Sequence, residues 1–151
     1  MFNKIIDYFK SQAWDYAPVG NETSAILGIK GENGEFECLA EVNEENKKFI
    51  FFSIFSENIP LGKRLEMSEL LTRLNFGKFL GNFEMDIDDG ELRYKTSIYF
   101  GNLELTPEIV ENMIMTNIAT MDQSIGGFIQ LIHGGKSAIE ACQFIEKNIS
   151  T

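Results

Sequence analysis

Apolar residues recur at intervals of three and four in four segments of the chain, which is the spacing of one face of an α-helix. The first segment covers residues 2–13. The second runs from about Lys63 to Asn75, where Asn75 and Gly77 are typical residues for a helix end. Both segments are therefore predicted to be amphipathic helices with one face in a core.

The third and fourth helical segments lie in the C-terminal half and have clear starting signals. Thr106 is an N-cap residue, and Pro107 follows it at the first helical position. A Gly-Gly pair at 126–127 is expected to interrupt this helix before its apolar stripe resumes. The last helix is predicted to begin at Ser137, because Glu140 three residues later completes a capping box.

Three strands are predicted between the first two helices, at about 24–31, 35–43 and 47–55. The third is apolar on both faces, so we expect it to lie in the middle of a sheet or to be covered on its second side. Two more strands, joined by a turn at Asp89-Gly90, complete a five-stranded, mainly antiparallel sheet flanked by helices. The predicted order is α-β-β-β-α-β-β-α-α, a single α+β domain over residues 1–151.

The two hairpins have registers that their turns predict. The first turn is Asn33-Gly34, a strong signal for a two-residue type I′ turn, and the second is Asp89-Gly90. Each register sets apolar residues opposite one another on one face and opposite charges on the other. The expected pairs include Lys30–Glu37, Ile29–Cys38, Glu84–Lys95 and Asp86–Arg93.

The second face of the predicted sheet carries the candidate interaction surface. Its members are apolar residues of the first three strands: Ile26, Leu39, Ile50, Phe52 and Ile54. An exposed apolar patch of this kind usually marks a protein interface. A helix of the same chain could equally cover it, since sheets commonly stack helices. The sequence leaves both possibilities open: a partner or dimer surface, or a face covered within the chain.

The net charge of the chain argues against two classes of binding partner. There are 13 basic and 23 acidic residues, a net charge of −10. Nucleic acids and anionic membranes are bound largely through Lys and Arg, so we expect neither as a partner. A basic protein or peptide would fit this charge. The amphipathic N-terminus, with Asp7, and the absence of any apolar run near the ~20 residues of a membrane span predict a cytoplasmic protein.

Motifs that resemble catalytic or ligand sites are incomplete. The Gly-Gly-Lys-Ser segment at 134–137 lacks the first glycine of a phosphate-binding loop, and the acidic turn at 86–90 lacks calcium ligands at its first and third positions. One histidine, His133, and two distant cysteines, Cys38 and Cys142, cannot form a usual zinc site. Both cysteines fall on apolar stripes and are predicted to be reduced core residues. We expect no catalytic residue, metal or cofactor.

A short motif and the element order around it carry a family resemblance. The predicted second helix ends in Leu74-Asn75, and Gly81-Asn82-Phe83-Glu84, an acidic glycine turn, a strand and Leu105-Thr106-Pro107 follow. This resembles the YbjN family of bacterial sensory transduction regulators, over nearly the whole chain in element order. The resemblance implies a fold like that of type III secretion chaperones, a homodimer and no catalytic residues. The matching positions, interpreted as a helix stop, a strand entry and a core contact, are Asn75, Gly81 and Phe83.

Three hypotheses of function follow, given in order of preference. The first is a non-enzymatic protein-binding or regulatory module, chaperone-like by the resemblance and homodimeric. The second is a small-molecule-sensing regulator with a pocket among aromatic residues: Phe49, Phe51, Phe55, Tyr94 and Phe100. The third is an uncharacterised enzyme, because a site could lie among the many acidic residues.

Overall fold

Six antiparallel strands form one sheet, and four helices complete the fold, in a computed structural model that describes residues 1–20 and 23–149. The strands are β1 (Ala17–Val19), β2 (Ser24–Lys30), β3 (Glu35–Asn43), β4 (Lys48–Ile54), β5 (Asn82–Met85) and β6 (Leu92–Tyr99). The helices are α1 (Phe2–Ser11), α2 (Arg64–Asn75), α3 (Pro107–His133) and α4 (Ala138–Ile149). A 3-10 turn, Leu61–Lys63, leads into α2. The α+β class is confirmed.

The sheet order is β1-β2-β3-β4-β6-β5, with every neighbouring pair antiparallel. β4 lies between β3 and β6, so its prediction as a central strand is confirmed. β1 is the sixth strand, which the sequence analysis missed. It has only three residues, with Pro18 in the middle, and a proline without an N–H group fits only at a sheet edge.

The core lies between the sheet and the helices. α1, α2 and α3 pack against strands, and α4 packs against α2 and α3. β3 buries every second residue, including Cys38 and Ala40. The ring of Phe128, in α3, lies 5.5 Å from Phe55 and 5.4 Å from Phe83, so one helical side chain joins two parts of the sheet. The sheet therefore has a buried inner face against the helices and an opposite outer face.

The register of the first hairpin differs from the prediction by two residues. Lys30 pairs with Glu35 rather than with Glu37, and the other pairs of this hairpin, including the predicted Ile29–Cys38, shift alike. A shift of two residues leaves each side chain on the same face of the sheet, whereas a shift of one would reverse it. The predicted registry is therefore wrong, while the division into two faces is kept.

Asp122 of α3 accounts for this shifted turn. Its carboxylate accepts hydrogen bonds from the backbone amides of Glu32 and Asn33, at 3.2 and 2.9 Å, and from Asn33 Nδ2 at 3.0 Å. The amide of Gly31 donates to the carbonyl of Gly34, so the two residues at the tip of the turn are Glu32 and Asn33 rather than Asn33 and Gly34. A buried carboxylate from a helix distant in sequence thus accepts the hydrogen bonds that the turn donates. This contact sets the conformation of the turn, and the local preference of Asn-Gly for a tight turn does not.

The second hairpin is also shifted by two residues from its predicted register. Glu84 pairs with Arg93 rather than with Lys95, and Asp86 lies beyond the paired region. The amide of Asp86 donates to the carbonyl of Glu91, so four residues, 87–90, form the turn. The prediction counted a two-residue turn at Asp89-Gly90 and is wrong for that reason.

α3 is one continuous helix from Pro107 to His133, which corrects the predicted interruption at 126–127. The glycines serve close packing instead. A Cβ atom at position 127 would lie 2.4 Å from the Ile145 side chain of α4. The predicted helix starts are confirmed, since Thr106 accepts a hydrogen bond as N-cap and Ser137 shares reciprocal hydrogen bonds with Glu140.

Candidate protein-binding face

The five predicted surface residues come together on the outer face. Ile26 of β2 pairs with Leu39 of β3, and Leu39 pairs with Phe52 of β4, so these three side chains form one row across three strands. Ile50 and Ile54 flank Phe52 on the same face of β4. We call these five residues the apolar row.

The apolar row is not covered by any helix in the described part of the chain. Ile26 is 38% exposed, and Leu39, Ile50 and Ile54 are half-buried at the surface. Phe52 is the exception at 6% exposed, and a side chain of the sheet itself shields it. The guanidinium carbon of Arg93 lies 4.3 Å from the centre of the Phe52 ring, a cation–π contact.

Two carboxylates flank the middle of the apolar row. Glu37 and Glu41 lie two residues on either side of Leu39, and therefore on the same face of β3. Each is opposite an isoleucine of β4. Neither forms an ion pair with another described residue, whereas Glu35 at the end of the strand contacts Lys30 at 3.5 Å. This side of the row therefore presents negative charge next to apolar surface.

The two basic residues on the other side of the row, Arg93 and Lys95, are paired with two carboxylates, since Glu91 also contacts Arg93 at 3.5 Å. Glu84 of β5 contacts Arg93 at 2.6 Å and Lys95 at 2.7 Å. Partial burial works against ionisation of Glu84, but the hydrogen bonds from Lys95 and Arg93 outweigh it, so the pKa of this carboxyl is lowered. The outer face consequently carries unbalanced negative charge at β3 and paired charges at β5 and β6.

The three positions of the motif, Asn75, Gly81 and Phe83, meet where α2 is joined to β5. Asn75 Oδ1 accepts a hydrogen bond from the Phe83 amide at 2.7 Å, and Asn75 Nδ2 donates to the Phe83 carbonyl at 2.9 Å. Gly81 has φ +78°, and a Cβ atom there would lie 2.6 Å from the Lys95 carbonyl oxygen. The Phe83 ring is buried, 4.7 Å from Tyr94. None of the three lies in the apolar row.

The aromatic residues of the ligand-pocket hypothesis are all buried. They are Phe49, Phe51, Phe55, Tyr94 and Phe100. Phe55 reaches one wall of a surface cleft of about 690 Å³, and Tyr94 reaches a smaller one of about 350 Å³. The structure gives this cluster a packing role in the core.

Residues capable of catalysis or metal binding are scattered. Within residues 1–20 and 23–149 no three His, Cys, Asp or Glu side chains are grouped to hold a metal ion. His133 Nε2 lies 2.8 Å from Glu57 Oε2 at the surface. Burial raises the pKa of the Cys38 thiol to about 12, and it raises that of Cys142 as well. Since the thiolate is the reactive form, these buried thiols are poor nucleophiles.

Among the helices of residues 1–20 and 23–149, none combines the length and the apolar composition that a membrane span requires.

Sequence reasoning missed two exposed aromatic residues between α2 and β5. Phe76 and Phe79 are 92% and 105% exposed, the two most exposed of the large hydrophobic residues. They follow a helix-stop signal and belong to no periodic apolar stripe. Their only signal in the sequence is that two phenylalanines occupy a short glycine-containing connection, where polar residues are usual.

Comparisons with known proteins give a family and a fold. The model of the YbjN family, described as "Putative bacterial sensory transduction regulator", matches residues 3–130. The crystal structure of YbjN from E. coli has a TM-score of 0.61, with 11% identity over 83% of this chain and 88% of that one. A HopA1–SchA chaperone–effector complex has a TM-score of 0.49, with 14% identity over 81% and 91%. No curated protein sequence matches significantly. The likeness of fold is therefore based on the YbjN structure alone, with its TM-score of 0.61.

Proposed function

This chain belongs to the YbjN family, and from that premise we propose that it is a non-enzymatic module that binds another protein through the outer face of its sheet. The observation that carries the proposal is the apolar row, which no described helix covers and which reaches the surface at every member except Phe52. It is flanked by Glu37 and Glu41, which have no ion-pair partner among the described residues. Removal of apolar surface from water contributes to binding affinity, and the neighbouring charges orient the partner on that surface.

The charge pattern indicates the chemistry of the partner. A segment with apolar residues flanked by Lys or Arg would place its apolar side chains on the row and its cations against Glu37 and Glu41. The net charge of −10 would also attract such a segment over a longer distance. Arg93 and Lys95 would not repel it strongly, because the carboxylates of Glu84 and Glu91 balance their two charges.

The reactive groups support binding rather than catalysis. Cys38 and Cys142 are buried thiols with raised pKa values, and His133 is held by Glu57 at the surface. Free, buried cysteines are compatible with a reducing compartment, and we propose that the protein acts in the cytoplasm. A homodimer, which the family resemblance implies, is part of the proposal.

Reversing the charge of Glu37 and Glu41 together should weaken binding of a basic, apolar peptide about tenfold, which corresponds to about 1.4 kcal/mol. The probe is a fluorescent peptide of alternating Leu and Lys, titrated by anisotropy at about 0.15 M salt, where long-range attraction is screened. The double variant Glu37→Lys, Glu41→Lys removes the two carboxylates that would meet the peptide's cations.

The matched control is Asp7→Lys with Glu45→Lys, which changes the net charge equally, by four, from −10 to −6 at exposed sites away from the row. This control should shift affinity less than twofold. If both double variants weaken binding alike, the peptide senses only overall charge and the face has no special role. Ile26→Ser, which keeps the charge, should also weaken binding.

A further inference from the structure

Lys78 is a half-buried cation with no anion beside it. It belongs to residues 76–80, which follow α2 and precede β5. Two other lysines are half-buried, and each contacts a glutamate: Lys63 at 2.8 Å and Lys95 at 2.7 Å. Lys78 has no ion-pair partner within residues 1–20 and 23–149. Because partial removal of an unpaired charge from water costs free energy, the surroundings of this ammonium are incomplete in the free chain.

Two aromatic rings lie beside the Lys78 ammonium. Its Nζ is 5.7 Å from the centre of the Phe83 ring and 5.6 Å from that of Tyr94. Both distances are close to the limit of about 6 Å for a cation–π contact, so this attraction is weak. Burial lowers the pKa of Lys78, and no carboxylate of the described residues acts in the opposite direction. The rings therefore leave most of the charge uncompensated.

A groove of about 350 Å³ opens at Lys78. The other described residues that line it carry no charge; they are Phe79, Leu80, Tyr94, Asn112, Thr116 and Thr120. In a chain with a net charge of −10, a groove with a lysine and no lining carboxylate is suited to an anion. Its volume lies at the small end of the range for small-molecule sites, about 300–1,000 Å³.

The polar groups on the α3 side of the groove leave one donor for a ligand. The Thr120 hydroxyl donates to the Thr116 carbonyl at 2.7 Å, and the Thr116 hydroxyl donates to Asn112 Oδ1 at 3.3 Å. The side-chain NH2 group of Asn112 has no hydrogen-bond partner among the described residues. It can therefore donate to an anion held by Lys78, since a carboxylate has two oxygens that accept hydrogen bonds.

The segment that carries Lys78 is held at both ends. The Lys78 amide donates to the carbonyl of Asn75 at 3.1 Å, and the Asn75 side chain bonds both the amide and the carbonyl of Phe83. The Tyr94 hydroxyl donates to the carbonyl of Leu80. Binding in the groove would therefore not first require the ordering of a loose segment, which favours affinity.

The apolar part of the groove determines which anion fits. The Phe79 ring is fully exposed, and a ring or alkyl group placed against it would be removed from water together with it. The single cation, Lys78, balances the single charge of a carboxylate. We propose that this groove binds a small organic carboxylate, with its charged end at Lys78 and Asn112 and an apolar or aromatic group against Phe79. This activity goes beyond the protein binding proposed for the outer face.

The probe is phenylacetate, which combines one carboxylate with one phenyl ring, titrated into the full chain at neutral pH and followed by the NMR shifts of the backbone amides. The wild type should bind it with a dissociation constant of about 1 mM or tighter, and the shifts should centre on residues 78–80 and 116. Acetate lacks the ring and phenylacetamide lacks the charge, so each should bind at least about fivefold more weakly.

Lys78→Met removes the charge, keeps an unbranched apolar chain and should weaken phenylacetate binding at least about tenfold. The matched control, Lys10→Met, removes an exposed lysine of α1 and should leave binding unchanged. Without ligand, Lys78→Met should unfold at the same denaturant concentration as the wild type or a higher one, because an uncompensated charge is lost. A lower concentration would mean that the ammonium stabilises the fold through the two rings, against the proposal.

Two further results would overturn the proposal. One is a wild type that does not bind phenylacetate at about 10 mM, and the other is equal binding by the wild type and Lys78→Met. The outcome is separable from the test of the outer face. Lys78→Met should still bind the Leu-Lys peptide, and Glu37→Lys with Glu41→Lys should still bind phenylacetate.

Discussion

Phe128→Ala is expected to lower the free energy of unfolding by about 3–5 kcal/mol, the range for removal of a buried phenylalanine. The side chain is fully buried, and its ring packs edge-on against Phe55 and Phe83. Phe55 follows the central strand, and Phe83 lies in edge strand β5, so loss of the ring would leave a cavity where the helices meet both. Urea denaturation of the monomeric protein measures the change.

The neighbouring residue offers a control on the same helix. Ile129 is 41% exposed, and Ile129→Ala should change stability by less than about 1 kcal/mol, as is usual for surface substitutions. A loss below about 1 kcal/mol for Phe128→Ala would mean that the helices and the sheet are not joined through this ring. Other contacts would then have to explain why the helices pack on the inner face and leave the outer face uncovered.

Gly81→Ala is expected to destabilise the fold by about 2–5 kcal/mol. About 1–2 kcal/mol comes from placing a side chain at φ +78°. A further 1–3 kcal/mol, roughly, comes from overpacking, because the new Cβ would lie 2.6 Å from the carbonyl oxygen of Lys95. This oxygen belongs to the backbone of β6, so it cannot move aside as the end of a flexible side chain could.

Gly77 provides a matched comparison within the same connection. It has the same φ of +78°, but nothing lies within 4 Å of a Cβ built there. Gly77→Ala should therefore show only the conformational cost of about 1–2 kcal/mol. Chemical denaturation of both variants in dilute solution separates the two causes. Equal losses would contradict the close contact between Gly81 and β6.

Local signals in the sequence predicted where helices begin, although not that α3 continues through its Gly-Gly pair. The starts at Thr106 and Ser137 depend on neighbouring residues that cap the helix, and these are visible in a single sequence. The two hairpin registers could not be predicted in the same way. In the first hairpin the turn is shaped by Asp122, which is about ninety residues away in the chain and reaches the turn only after α3 has packed.

The members of the apolar row could be predicted because side chains alternate along a strand, and the two-residue shift preserved that alternation. Whether a helix covers the row depends on the final packing, which alternation does not describe. The shielding of Phe52 by Arg93 is a contact between β4 and β6, whose pairing no local turn predicts. The exposure of Phe76 and Phe79 had no periodic signal at all.

The most direct test of the outer face as a protein-binding site is photocrosslinking in the native host, with a photoreactive residue at position 26 or at position 109. Ile26 and Ile109 are matched controls, since they are 38% and 39% exposed, but Ile26 lies in the apolar row and Ile109 in α3. We predict that position 26 crosslinks to a partner through a segment with apolar residues flanked by Lys or Arg, and that position 109 does not. The same proteins at both positions, or a partner at 109 alone, would contradict the account.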